Sequence, residues 1–70
     1  MSLEKAIETL IDYKIDLDNK ITDIALKIQS LETYEDIIKN ATQLLNYSEK
    51  ANKIDKMICD LDEIEKDDNK

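Results

Sequence analysis

The side chains that could do chemistry here are carboxylates, amines, three tyrosines and a single thiol. Asp and Glu number 17 against 10 Lys, with no Arg and no His. General acid–base work at neutral pH most often uses His, because its charge changes in that range. Its absence excludes His-based nucleophilic triads and His-bearing metal sites. The carboxylates suggest a divalent-cation site instead: Asp12, Asp16 and Asp23 lie on one outward helical face, and Asp60, Glu63 and Asp67 on another. A calcium loop needs Gly at its sharp turn, and the chain contains none. Carboxylates at helical spacing read as a solvated surface, so the sequence assigns no metal, no cofactor and no catalytic residue.

Cys59 has no helix N-terminus or cluster of positive charge to activate it, and it reads as a small, partly buried hydrophobe beside an apolar stripe. One Cys excludes an internal disulfide. Tyr is enriched at interaction hot spots. Of the three, Tyr47 falls on an apolar stripe and reads as core with its hydroxyl near the edge. Tyr13 and Tyr34 are the contact candidates.

These residues must be carried by helices. From Leu3 to Leu31 an uninterrupted heptad places Leu3, Leu10, Leu17, Ile24 and Leu31 in one row and Ile7, Lys14, Ile21 and Ile28 in the other. A stripe that narrow packs against another helix. Taken alone, Ile in one row and Leu in the other favour a parallel two-stranded zipper, with Lys14 as the polar residue that fixes register. A long amine can also lay its methylenes along the seam and carry its charge to water.

The register then changes. Its extension lands on Glu35, Thr42, Glu49, Asn52 and Lys56, whereas a new pair of rows contains Ile37, Leu44, Ala51 and Ile58 with Tyr47, Ile54 and Leu61. Between the two phases, Thr33 with Asp36 three residues on has the form of a helix N-cap. The reading is an all-α antiparallel helical hairpin: helix 1 over about 2–30, a turn at about 30–33, helix 2 over about 33–65, and a frayed acidic tail at 66–70. One continuous helix with a phase slip, and a three-helix form broken near Asn46 to Ser48, are the alternatives.

Helix 2 doubles its apolar positions at Ile37/Ile38, Leu44/Leu45 and Met57/Ile58, and helix 1 adds Ile11, Ile15 and Leu26. A doubled stripe faces two neighbours, so two hairpins are expected to associate as a four-helix bundle, and Ile38 and Leu45 join Tyr13 and Tyr34 as partner-binding candidates. Seventy residues struggle to bury a sufficient core alone, which points the same way.

A formal net charge of −7 repels a phosphate backbone. No apolar run approaches a signal-peptide core or a membrane span. The expected protein is therefore cytosolic and non-enzymatic, an adaptor, chaperone or inhibitor that contacts a protein partner or its own copy and engages no nucleic acid, membrane or small-molecule substrate. An acidic mimic that occupies the groove of a nucleic-acid-binding protein is an alternative.

A further alternative comes from Ala51-Asn52-Lys53-Ile54-Asp55-Lys56-Met57-Ile58. This segment resembles the signature of the small two-helix aspartyl-phosphate phosphatases that act on sporulation response regulators, in which Ser-Gln-Glu-Leu-Asp precedes further apolar residues. The resemblance covers eight residues of 70, with Ala51 and Lys53 in place of the motif's Ser and Glu. It implies a hairpin that docks on a phosphorylated receiver domain, with Asp55 as the functional carboxylate and Ile54 as its apolar neighbour.

Overall fold

The structure, a computed structural model, describes residues 2–68. Its elements are α1 (Leu3–Ile28) and α2 (Tyr34–Asp68), packed against each other as a helical hairpin that forms a rod of 56 × 16 × 14 Å.

Each helix starts where a hydroxyl can satisfy a free amide. Ser2 is extended, at φ −84° and ψ 158°, and its Oγ accepts a hydrogen bond from the Lys5 amide at 3.1 Å. Glu4 in the first turn and Lys27 in the last complement the helix dipole. At α2 the Thr33 Oγ1 accepts from the Asp36 amide at 3.3 Å, and Glu35 and Asp36 supply the acidic first turn.

The turn is made without Gly because α1 closes by tightening. The amides of Ser30 and Leu31 donate to the carbonyls of Lys27 and Ile28, three residues back, at 3.1 and 3.2 Å. The Ser30 hydroxyl also donates to the Lys27 carbonyl at 2.9 Å. No described residue takes positive φ, so the connection never enters the left-handed conformation for which Gly is usually recruited.

The seam follows the heptads. On α1 the positions Leu3, Ile7, Leu10, Lys14, Leu17, Ile21, Ile24 and Ile28 are all withdrawn from full exposure, and Leu17 is only 1% exposed. On α2 they are Asn40, Leu44, Tyr47, Ala51, Ile54, Ile58 and Leu61. Two cross-helix contacts, Lys14 with Asp55 and Lys20 with Tyr47, fix an antiparallel register that puts Leu17 level with Ala51. The most buried large side chain therefore lies opposite the smallest residue of the α2 seam, as close helix approach requires.

Several expectations need correction. α1 ends at Ile28, two residues short of the expected limit, because the tightened bonds begin at Lys27. α2 runs unbroken through Asn46 to Ser48 and on to Asp68, past the expected end near 65; residues 69 and 70 of the expected frayed tail lie outside the described residues. Ile37, expected on the seam, is exposed, and the buried polar residue Asn40 occupies the seam near the turn. Cys59 is exposed. No described helix is long and apolar enough to cross a membrane.

Candidate interaction surface and polar seam

Three polar residues interrupt the apolar seam, and each is compensated differently. Lys14 sits on α1 one turn before Leu17 and retains 30% of its side-chain exposure, enough for its ammonium to meet water. Its Nζ lies 2.8 Å from Asp55 Oδ1 on α2 and 3.9 Å from Asp18 Oδ2 on its own helix. The hydrogen bond to Asp55 raises the Lys14 pKa above its ordinary value, partial desolvation opposes this, and the charges of Asp55 and Asp18 add to the rise.

Asn40 is buried, and its side-chain amide donates to the Asp36 carbonyl one turn back at 2.9 Å. This local bond lets an amide occupy a seam position without an unsatisfied donor. Tyr47 is half-buried, and the Lys20 ammonium stands 5.8 Å from its ring centroid while pairing with Asp16 at 3.4 Å. The ring thus combines a half-buried seam position with a cation over its face.

Six of the ten exposed large apolar residues among those described fall on two lines. On α2, Tyr34, Ile38 and Leu45 are separated by four and seven residues, spacings that keep side chains on one helical face. All three are exposed, Tyr34 at 78% and Leu45 at 63%. On α1, Ile11, Ile15 and Leu26 form a second exposed line, with Leu26 at 60%. Tyr13 is also exposed, but it lies two residues from both Ile11 and Ile15 and so faces elsewhere. The structure therefore groups three of the four partner-binding candidates and separates Tyr13 from them.

Sequence reasoning missed Asn40 as a seam residue, although it stands seven residues before Tyr47 on the same row. It also missed that Asp55 is the cross-helix partner of Lys14. Among the described residues, no group of three or more Asp, Glu or Cys side chains is placed to hold a metal ion, and no pocket is formed.

This geometry is that of a solid rod with an apolar seam, a cross-helix ion pair and two exposed apolar lines, which can offer contact surface to another macromolecule. No protein-family model matches the chain, and searches of curated proteins and of solved structures give no match. The likeness to the two-helix phosphatases accordingly stands on residues 51–58 alone.

Proposed function

We propose that this protein is a small acidic helical interaction module without catalytic activity, an adaptor, chaperone or inhibitor in the cytoplasm, and that two hairpins associate through their outer apolar faces as a four-helix bundle. The observation that carries the reading is the line Tyr34, Ile38 and Leu45, which α1 leaves uncovered. Among the described residues of one hairpin, the buried apolar ones are Leu17 and Ala51. A seam so lightly buried gives a chain of this size reason to gain further burial by association, at ~1.5 to 3 kcal/mol for each fully covered Leu or Ile. A charged partner, if there is one, should be basic.

Sedimentation equilibrium at micromolar concentration should give about twice the 8.1 kDa chain mass, and Ile38→Glu or Leu45→Glu should yield a monomer of unchanged helicity. A wild-type monomer that stays fully helical and melts cooperatively would refute the homodimer and leave the face to a different protein. The phosphatase-like alternative is less favoured, since Asp55, the residue it needs, is already engaged by Lys14 at 2.8 Å.

A further inference from the structure

The heptad of α1 poses a pairing problem. Ile dominates the row of Ile7, Ile21 and Ile28, and Leu dominates the row of Leu3, Leu10 and Leu17, which also holds Ile24; this division suits a parallel pair of identical helices. Size complementarity favours α2 at one level, where Ala51 lies opposite Leu17, but α2 is otherwise the less regular partner, with Asn40 and Tyr47 also on its seam. A further distinction lies in charge. In a parallel α1 pair, Lys14 would meet Lys14 of the second copy across the seam, two like charges in a partly desolvated setting. In the hairpin it meets Asp55 at 2.8 Å, with Asp18 at 3.9 Å on the flank.

We infer that Lys14 and Asp55 form a specificity pair that commits α1 to α2 of its own chain and bars a second copy's α1 from the same seam. The pair attracts in the native arrangement and repels in its closest competitor, so it acts on the difference between the two. The inference rests on the hairpin and not on the proposed association of hairpins, which uses other faces.

The test uses the full chain in the Leu45→Glu background, so that association through the outer face does not contribute. A spin label at Glu8 should report no interchain distance in this protein. Adding Lys14→Ile should produce a new interchain Glu8-to-Glu8 distance below about 25 Å, as parallel helices 8–10 Å apart require. Separately, in the otherwise native chain, Lys14→Glu and Asp55→Lys should each lower the melting midpoint, and the double exchange should recover more than half of the combined loss. A Lys14→Ile protein without the new distance, or a double exchange no more stable than the single variants, would overturn the inference.

Discussion

The seam makes a quantitative demand at Leu17. This side chain is 1% exposed, whereas Leu26 on the same helix is 60% exposed. Truncating a buried Leu to Ala removes its transfer free energy and leaves a cavity, a cost of about 2 to 5 kcal/mol in well-packed cores. A rod 16 × 14 Å in section is thin enough to close partly over the gap, so about 2 to 3 kcal/mol is expected for Leu17→Ala. For a domain of this size each kcal/mol moves the melting midpoint by about 4–8 °C, which gives a fall of roughly 8–24 °C. Leu26→Ala should stay within about 0.5 kcal/mol of wild type, because Leu and Ala are both strong helix formers and little area is lost. Urea titrations followed by circular dichroism at 222 nm measure both. They should be run where the midpoint no longer depends on protein concentration, so that association does not enter. A Leu17→Ala cost below about 1 kcal/mol, or equal costs at the two positions, would show that the seam does not hold the hairpin together as described.

Two further outcomes follow from the cap and the ion pair. Thr33→Ala removes the acceptor for the Asp36 amide and should cost about 0.5–2 kcal/mol, whereas Thr33→Ser should be near neutral in the same melts. The Lys14 pKa is raised in the folded state, so the folded chain holds that proton more tightly than the unfolded chain. Its stabilising contribution is therefore complete below the unfolded value, near 10.5, and is lost as pH rises through the folded value. The stability difference between wild type and Lys14→Gln should be constant at neutral pH and shrink at strongly alkaline pH; a gap that persists there would contradict the assignment.

The hairpin was legible because its signals are local. The three-and-four spacing of α1 depends only on neighbours along the chain, and the Thr33 cap depends on a hydroxyl three residues from the amide it serves. Less legible were features set by the second helix. Asn40 reads as a surface residue because its type is polar, yet its own bond to the Asp36 carbonyl satisfies its donor and allows burial. Asp55 looks like any exposed helical carboxylate until the antiparallel register brings Lys14 to it. Nothing in the sequence marks the end of α2, since neither Gly nor Pro supplies a stop, and Lys66 pairs with Asp62 at 3.2 Å and continues the helical pattern. Ile37 had the right spacing for the seam, but it lies within the first turn of α2, and the structure leaves it exposed.

The antiparallel register also implies an order of assembly. In a hairpin the chain length enclosed by each contact grows steadily with distance from the turn: Lys20 and Tyr47 are 27 positions apart, Lys14 and Asp55 are 41. Closing the longer loop costs only about 0.4 kcal/mol more, so the gradient is shallow and always of one sign. Contacts beside residues 29–33 are the least costly to form and those at the open end the most costly, an ordering that favours closure from the turn outward. The Lys14–Asp55 pair lies well along that path. On this path α1 and α2 of one chain are aligned before the pair engages, so kinetically it slows opening of the hairpin, while its bar to a second copy's α1 acts on the equilibrium between the two pairings.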